Sequence, residues 1–586
     1  MKMNKIKYAL FIGASLFTAA CSEDLLDIPQ KASTSADEFF AKDEAAQSLL
    51  LSCYAELSDR IAAADWNDGS QFGSPFLTVL NYSSDDVFSA GGDITDHFDI
   101  RQFDEFRYDT KNVQIKAIYN RLYKVIFMCN QLKYNIVGDT PAKKTAIAEA
   151  RVMSAYSHMM AALFFENPPL VPELTTEYVK NSDNQEQILK WCIDECEAAI
   201  PDLNERKGAT DAEGCYKITV GFAQFVAGKC AMFMGDWATA VKYLKPLCES
   251  PNYALIDNFR DLTHIEGDGS AEKILECNVV ENADANSFTE MVRGGWMATN
   301  VINWRGDDLP AKANIEGVAG WGGGAINDQF AKKMYAHEPN SQRRVATFLT
   351  ADEFLYDENL CGWPSDTAHL TLEQKKKDPG RGITKTSGSF SRGEFMEVKR
   401  MTTPTDKSTR ADANMANFTI ARLGEAYLLY AEACLKNGNA AEGKKYLNAI
   451  QDRAGAPVTD LTMETLMDEK QYELWFEGCR FFDLVRWSKQ DGLDIKAKFD
   501  AVTDNIPYQY DLFFVPKEID VDGVKVPHEL YDANYYQKEH KIVAVTKHPL
   551  AEAGFTNRFT VGKHEYLPFP EDALNLNPEL VQHANW

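Results

Sequence analysis

The chain has 586 residues, of which 45% are hydrophobic and 11% aromatic, and it carries 61 basic and 87 acidic side chains. This composition is sufficient for a large apolar core and excludes a mainly disordered chain. The formal net charge of −26 argues against nucleic acid as a partner, because a phosphate backbone is bound by clustered lysine and arginine. An acidic surface remains compatible with neutral sugars and cationic peptides.

Residues 1–20 have the pattern of a secretory signal peptide. Three lysines precede the apolar run 8–17, and small residues follow it up to Cys21. This run is about half of the ~20 residues that a membrane-spanning helix needs. Cleavage before Cys21 removes three lysines and no acidic residue, which lowers the formal net charge from −26 to −29.

Cys21 is the candidate lipidation site. Thr18-Ala19-Ala20-Cys21 resembles the lipobox of bacterial lipoproteins, although Thr18 stands where leucine is usual. Acyl chains on this thiol would hold the chain on a membrane while the polypeptide stays in water. The acidic residues 22–24 resemble the tag that sends lipoproteins of the Bacteroides group to the outside of the cell. The alternative is a plain secreted protein with a chance cysteine near its cleavage site.

Three segments of the first third predict amphipathic helices, over residues 43 to about 57, 112–135 and 141–165. Apolar residues recur in each at three- and four-residue spacing. The third segment has Thr140 as a cap residue and proline at its first helical position, and it is stopped by residues 167–169, Asn-Pro-Pro.

Two later regions have the pattern of helix pairs. In residues 217–249 a break at Gly235-Asp236 separates two helices, and Gly228 and Ala240 have the spacing of the small residues in the tetratricopeptide consensus. A similar pair is predicted at 418–437 and 440–453, and one further long helix at 463–487. We therefore predict a mainly α fold in which tetratricopeptide-like helix pairs form a scaffold.

Between these regions the helical periodicity is lost. Residues 251 to about 416 are rich in Gly, Asn, Asp and Trp, which predicts long loop-rich insertions that carry the ligand site. A hairpin is expected at 520–526 in the poorly periodic stretch that follows residue 492. The predicted regions are therefore a signal peptide (1–20), an N-terminal helical region (21–250), a loop-rich ligand-binding region (251–415) and a C-terminal region (416–586).

The sequence contains no catalytic or metal-binding motif. His-Glu-x-x-His, the phosphate-binding Gly-x-x-x-x-Gly-Lys-Ser/Thr and Gly-x-Ser-x-Gly are all absent from the chain. Cys192 and Cys196 fall on one helix face, but no second pair supplies the spacing of a zinc site. The other cysteines after Cys21 stand singly and are interpreted as small buried hydrophobic residues. We expect neither an enzyme nor a cofactor nor a metal, and no loop spacing supports Ca²⁺.

Nine of the ten tryptophans divide into two groups. Four lie on predicted helices and are expected in the core: Trp191, Trp237, Trp475 and Trp487. Five lie among Gly, Asn and Asp in aperiodic sequence: Trp66, Trp296, Trp304, Trp321 and Trp363. A flat ring can stack on the apolar face of a sugar, while neighbouring polar side chains bind its hydroxyls. The alternative is a ring buried under its own loop.

Two clusters are the candidate ligand-binding residues. The first comprises Trp66, Asn67, Tyr82, Asp85 and Asp86. The second comprises Trp296, Trp304, Arg305 and Trp321. The glycines that follow Trp321 are expected to allow a tight backbone turn beside the ring.

Four stretches resemble the SusD/RagB nutrient-uptake lipoproteins of the Bacteroidota. They are 24–29 (Asp-Leu-Leu-Asp-Ile-Pro) behind the cysteine, 422–433 with 448–455, 469–487 with its glutamate, glycine, arginine and tryptophan pattern, and 566–570 with 576–580. Their order around a lipobox makes the resemblance specific, and it covers nearly the whole mature chain. Cys479 departs from the family, which often has histidine there.

The resemblance implies an extracellular lipoprotein of the cell outer membrane that acts as a lid on a SusC-like, TonB-dependent barrel. It would capture an oligosaccharide or, in some members, a peptide, with no cofactor and no bond cleavage, and its only membrane contact would be the lipid anchor. Family members build their ligand platform from loops in roughly the two cluster regions. The signature stretches are expected to be structural, with a paired charge network on one long helix formed by Glu473, Arg480, Asp483 and Arg486.

Three other functions remain open. An oligopeptide-binding uptake protein would suit the negative charge, and strong salt dependence of binding would favour it. A lipid-anchored glycosidase needs a carboxylate pair, which is defined by a distance in space and not by sequence. A structural protein could use the helix pairs to hold a partner without touching a nutrient.

Overall fold

The computed structural model describes residues 36–62, 74–89, 98–281, 292–293, 323–350, 353, 387–390, 395–407, 414–504, 508–513, 518–521, 524–527, 542–547 and 556–586. Within these ranges the chain forms 17 α-helices and 13 short strands. The predicted mainly α class is therefore confirmed.

The α-helices and strands are numbered in chain order. The helices are α1 Ala36–Phe40, α2 Asp43–Leu57, α3 Pro75–Tyr82, α4 Phe98–Asp104, α5 Val113–Asn135, α6 Pro141–Phe165, α7 Gln185–Ala199, α8 Val220–Met234, α9 Trp237–Cys248, α10 Asp328–His337, α11 Gln342–Thr347, α12 Leu423–Lys436, α13 Ala440–Ala454, α14 Met463–Glu473, α15 Arg480–Gln490, α16 Ile495–Asp504 and α17 Glu571–Leu576. The strands are β1 Val87–Ser89, β2 Lys273–Cys277, β3 Val280–Glu281, β4 Val292–Arg293, β5 Gly324–Ile326, β6 Phe348–Thr350, β7 Ser387–Phe390, β8 Phe395–Glu397, β9 Phe418–Arg422, β10 Tyr508–Phe513, β11 Glu518–Val521, β12 Val524–Pro527 and β13 Ile542–Lys547.

The three helices predicted in the first third are confirmed as α2, α5 and α6. The Asn112 side chain accepts hydrogen bonds from the backbone N–H groups at the start of α5. The Thr140 hydroxyl accepts from the Lys143 N–H, and Pro141 occupies the first position of α6. Each cap satisfies donors that the first helical turn would leave unpaired.

The helices form a continuous series of packed neighbours. Helix α5 packs on α6, α6 on α7, α7 on α8 and α8 on α9. The series continues from α9 to α12 and from α12 to α13, although a long excursion of the chain separates Cys248 from Leu423. Each helix thus buries its apolar stripe against the next one, as in repeat proteins built from helix pairs. The expected scaffold of helix pairs is confirmed.

Small residues set the geometry of the α8–α9 pair. Gly235 ends α8 in the left-handed region, with φ of 71°, and the Asp236 side chain accepts from the Thr239 N–H to begin α9. A Cβ atom on Gly228 would lie 2.5 Å from Cγ of Leu244 on the opposite helix. The two backbones can therefore approach this closely only because Gly228 has no side chain.

The helix predicted over 418–437 begins five residues late. Residues Phe418–Arg422 form strand β9, which pairs antiparallel with β2. Helix α12 then starts at Leu423. A short apolar run fits either a strand or a buried helix segment, and here the long-range pairing with β2 decides the outcome.

The single long helix predicted over 463–487 is wrong. The structure has two helices, α14 and α15, separated by a turn in which Phe476 has φ of 59° and Gly478 has φ of 77°. A right-handed helix cannot continue through residues in the left-handed region. The helical spacing of apolar residues runs across the turn because both flanking helices face the same core.

The stretch 251–416 contains more regular structure than predicted. Helix α10 begins at Asp328 and is capped by Asn327, whose side chain accepts from the Gln329 N–H, and α11 follows it closely. Strands β2 and β5 also lie in this stretch. The hairpin expected at 520–526 is confirmed, since β11 and β12 pair antiparallel with Val521 opposite Val524.

The core contains the residues expected there. Trp475 and Trp487 are 2% and 0% exposed, and Trp191 and Trp237 are partly buried against the same core. Nine of the ten cysteines in the described residues are buried, and all ten are free thiols. In the part of the chain that the structure describes, no helix is both long and apolar enough to cross a membrane.

Candidate ligand-binding site

Part of the first predicted cluster lies in the described scaffold. Residues 63–73, which contain Trp66 and Asn67, lie outside the described residues and are bounded by a π-helical turn, Ser58–Ala62, that extends α2, and by Ser74. The Ser74 hydroxyl donates a hydrogen bond to the carbonyl oxygen of Ile61, which joins the chain on either side of this stretch.

Strands β1 and β5 connect the two clusters. They pair antiparallel, with Val87 opposite Ile326 and Ser89 opposite Gly324. Strand β1 directly follows Asp85 and Asp86 of the first cluster, and β5 begins with Gly324, the last of the three glycines behind Trp321. The pairing thus brings these two positions to one small sheet, although more than two hundred residues separate them along the chain.

Tyr82 lies under this sheet. Its side chain is fully buried, and its ring packs edge-on against Phe476 with the ring centroids 6.3 Å apart. A Cβ atom on Gly324 would lie 2.7 Å from the Tyr82 hydroxyl oxygen, so only glycine fits at the first residue of β5. One role of the glycines behind Trp321 is therefore close packing of the backbone on a tyrosine.

Asp85 is held by Arg480 at the start of α15. The guanidinium group donates from Nε and Nη2 to the two carboxylate oxygens, at 2.7 and 2.8 Å. Burial alone would raise the pKa of Asp85, but the charge and hydrogen bonds of Arg480 lower it below its ordinary value. The pair therefore stays ionised and ties the first cluster to residues 469–487, the signature segment.

Asp86 is 1% exposed and is bonded through both its backbone and its side chain. Its carbonyl oxygen accepts from the Trp475 indole N–H at 3.0 Å and from the Asn327 N–H at 3.0 Å. Its carboxylate accepts from the Ser84 hydroxyl at 2.7 Å. Burial and the neighbouring charge of Asp85 raise the pKa of Asp86 to about 6. Asp86 is thus a bridge between β1, α10 and the signature segment.

The turn between α14 and α15 packs against the base of the candidate site, which consists of β1, β5 and the buried residues Tyr82, Asp85 and Asp86. The Gly478 N–H donates to Oδ1 of Asn81 at 3.0 Å, and the Asn81 side-chain amide donates to the Leu77 carbonyl. The left-handed backbone at Gly478 turns its N–H toward α3. The turn thus exists because it packs on the segment that carries the first cluster.

A buried charge network lies behind the turn. Arg422 donates to Glu473 at 2.7 Å and to Glu272 at 2.8 Å. Arg343 donates to the other Glu473 oxygen at 3.0 Å. Burial alone would raise the pKa of Glu473, but the surrounding guanidinium groups hold it below its ordinary value. These ions are all paired, which is the condition for burying them.

The predicted charge network on one long helix is corrected by these contacts. Glu473 and Arg480 lie on two different helices and bind partners elsewhere in the chain. Arg486 does pair with Asp483 at 2.9 Å, and its Nη1 and Nη2 atoms also donate to the two carboxylate oxygens of Glu432 in α12. The signature residues therefore connect separate elements, which agrees with the structural role expected for them.

Six of the predicted ligand-binding residues lie outside the described residues: Trp66, Asn67, Trp296, Trp304, Arg305 and Trp321. Cys21 also lies outside them. Tyr82, Asp85 and Asp86 lie inside, where the structure gives them packing and hydrogen-bonding roles in the base of the site. A ligand contact by any of these residues stays a prediction.

The sequence interpretation missed the residues that position this base. Each of these residues has a hydrogen-bond partner about four hundred positions away in the chain: Asn81 bonds to Gly478, Trp475 to Asp86 and Arg480 to Asp85. No spacing in the sequence indicates such pairs. The family signature gave only a partial signal, because it singled out Trp475 and Arg480 without their partners. Among the described residues, no group of three or more His, Cys, Asp or Glu side chains could hold a metal ion.

Comparison with known proteins agrees with this architecture. Residues 352–586 match the model of the SusD family. A SusD-like protein of Bacteroides ovatus is 23% identical over 505 residues, which cover 82% of this chain and 82% of that protein.

Solved structures share the fold over almost the whole chain. A laminarin-binding SusD-like protein superposes with a TM-score of 0.65 at 19% identity and covers 93% of this chain and 100% of its own. Surface glycan-binding protein A from Bacteroides thetaiotaomicron, in complex with laminarihexaose, gives a TM-score of 0.66 at 20% identity and covers 92% of this chain and 99% of its own. At this identity the likeness establishes the fold.

Proposed function

Because residues 352–586 belong to the SusD family and the chain has the SusD-like fold, we propose that this protein binds an oligosaccharide and does not cleave it. Two of its structural relatives are described by their glycan ligands, laminarin and laminarihexaose. The acidic mature chain suits a neutral sugar better than a phosphorylated or nucleic ligand.

The observation that carries the proposal is the β1–β5 pairing. It brings the strand behind Asp85 and Asp86 against the strand that begins just behind Trp321, on a base that Arg480 and Trp475 hold in place. A rigid base next to tryptophan-bearing segments suits sugar recognition, because flat rings stack on the sugar face while fixed polar groups select its hydroxyls. Trp66, Trp296 and Trp321 are the proposed stacking residues, with Trp304, Arg305 and Asn67 beside them.

The site of action is the outer face of the bacterial outer membrane. The signal peptide, the lipobox at Cys21 and the acidic residues behind it support a lipid anchor there. The family resemblance supports a SusC-like, TonB-dependent barrel as the partner that receives the sugar. The protein would then capture the ligand and leave transport to the barrel.

Isothermal titration tests the ligand class. The mature chain is titrated with neutral hexasaccharides of different linkage, laminarihexaose among them, and with tetralysine as a basic peptide. We expect at least one sugar to bind and to be recovered intact by chromatography. Binding of the peptide with silence toward every sugar would contradict the proposal, and so would cleavage of a bound sugar.

The stacking residues are tested by single Trp→Ala variants at 66, 296 and 321. Loss of a stacked ring removes about 1 kcal/mol of binding free energy, so affinity falls about fivefold. The matched control is Tyr134→Ala, because Tyr134 is 69% exposed on α5 and lies in neither cluster. If all three tryptophan variants bind the sugar as tightly as the unmodified chain does, the sugar binds at another site.

Mass spectrometry of the mature protein tests the anchor. We expect an acylated N-terminal residue at Cys21 and release of the Cys21→Ala variant from the membrane fraction. A mature N-terminus without lipid would contradict this part of the proposal and leave the binding function intact.

A further inference from the structure

A groove of about 340 Å³ lies on elements that carry none of the predicted ligand-binding residues. Helix α5 forms one wall, the segment that follows α6 forms the second, and the C-terminal segment around α17 forms the third. Its lining includes the aromatic side chains Tyr119, Tyr123, Phe127 and Tyr178.

Hydrogen bonds fix the three walls relative to one another. The Tyr123 hydroxyl donates to the Pro169 carbonyl at 2.6 Å. The Asn577 side chain donates to the Val179 carbonyl at 2.8 Å. Asn181 and Val581 exchange two further bonds, at 2.8 and 3.0 Å. The groove is thus part of the folded scaffold and not a chance gap between loose segments.

The aromatic lining is open to solvent at the mouth and rigid at the floor. Phe127 is 45% exposed and Tyr178 is 63% exposed, whereas Tyr119 is 9% exposed and packs against Tyr123 with centroids 4.6 Å apart. Exposed aromatic rings that a monomer does not need for its core indicate a binding surface. Leu576, which is 75% exposed, extends the same apolar lip.

The charges of the lining restrict the ligand. The ionisable side chains that line it, apart from tyrosines, are the acids Glu173 and Glu177, and no lysine or arginine is among the lining residues. Carboxylates accept hydrogen bonds from hydroxyls and repel anions. The groove therefore suits a neutral, hydroxyl-rich molecule with an apolar face.

We propose that this groove is a second oligosaccharide-binding site, which takes a neutral segment of glycan and is separate from the loop clusters. Stacking would involve Tyr178 and Phe127, and sugar hydroxyls would donate to the carboxylates of Glu173 and Glu177. Two sites on one chain would retain a long glycan better than either alone, because the second contact becomes intramolecular.

The test removes the loop site first. A variant with Trp66, Trp296, Trp304 and Trp321 all changed to alanine is titrated with the same neutral hexasaccharides. We expect it to retain weak binding of at least one of them. Adding Phe127→Ala and Tyr178→Ala, both at exposed positions, weakens that binding about tenfold or more. Adding Tyr134→Ala instead, on the same helix but outside the groove, leaves it unchanged.

The outcomes separate this proposal from the proposed function. If the unmodified chain binds a hexasaccharide but the loop variant binds none, the second site is refuted and the loop site stands. If the groove substitutions leave the residual binding unchanged, the second site is also refuted. Binding of tetralysine that Tyr178→Ala abolishes would make the groove a peptide site. If the unmodified chain binds no sugar, both proposals fail.

Discussion

The side chains of Asp85 and Arg480 show at the scale of single residues how the signature segment stabilises the candidate site. Both are nearly buried, with side-chain exposures of 9% and 10%, and the pair is bidentate. The net contribution of such a pair to the free energy of unfolding is modest, but the loss of one partner leaves an uncompensated charge in the interior.

Arg480→Ala should therefore lower the free energy of unfolding by about 3–5 kcal/mol. Urea denaturation followed by circular dichroism measures the change. Lys496→Ala is the control, because Lys496 pairs with Asp500 across one turn at the surface, and its loss should cost about 0.5 kcal/mol or less. Equal losses in the free energy of unfolding for the two substitutions would show that the buried pair of Asp85 and Arg480 matters no more for stability than a surface pair.

Asp104 provides a second test at the residue scale. Its Oδ2 accepts from the Ser89 N–H at the end of β1, at 2.7 Å, and burial raises its pKa to about 8. Between pH 4 and pH 8 the folded state then binds more protons at this group than the unfolded state. The contribution of Asp104 to the free energy of unfolding therefore falls as the pH rises through this window, by at most about 1.4 kcal/mol per pH unit.

Asp104→Asn keeps the acceptor for Ser89 and removes the titration. We expect this variant to be more stable than the unmodified chain at pH 8, by a margin that shrinks toward pH 5. Thermal or urea unfolding at both pH values measures it, with Asp139→Asn on the surface as control. If the stability difference between the variant and the unmodified chain is constant, or grows toward low pH, the raised pKa of Asp104 is contradicted.

At the scale of elements, the turn between α14 and α15 is the feature that the sequence could not predict. The apolar spacing from Met463 to Trp487 is helical throughout, and only the contacts of the turn with Asn81 and Tyr82 explain the break. The same holds for β9, whose strand conformation depends on pairing with β2. In contrast, α5 and α6 were predictable because local caps and a local period define them.

Gly478→Ala tests the turn. Gly478 has φ of 77°, and a Cβ atom there would also lie 3.2 Å from a methyl group of Leu80. The left-handed conformation costs about 1–2 kcal/mol for a residue with a side chain, so stability should fall by that amount. Gly208→Ala is the control, because nothing lies within 4 Å of that position. A neutral effect at both positions would argue against a strained turn.

Gly228→Ala tests the α8–α9 pair. The added methyl group meets fully buried Leu244, and overpacking of this kind costs about 1–3 kcal/mol. Alanine is the better helix former, so the intrinsic preference acts in the opposite direction. A stabilised variant in urea denaturation would show that the two helices can separate without penalty.

At the scale of the whole molecule, the fold was more predictable than the site. The helix pairs, the hairpin and the core tryptophans follow from periodicity, turn residues and the family signature. The base of the site does not, because Asp85, Asp86 and Asn81 meet Arg480, Trp475 and Gly478 only after the chain has folded. The sequence predicts Asp85 and Asp86 as ligand contacts in one cluster with Trp66, whereas the structure shows Asp85 paired with Arg480 and Asp86 as a buried bridge.

The central claim is that the segments bearing Trp66, Trp296 and Trp321 hold a sugar on a helical scaffold, next to the base that contains the β1–β5 pairing. The most direct measurement is a crystal structure of the mature chain with the tightest-binding oligosaccharide. We predict sugar rings stacked on Trp66, Trp296 or Trp321, with the glycosidic bonds intact. A sugar bound only elsewhere on the molecule, with these three tryptophans buried under their own loops, would contradict the account.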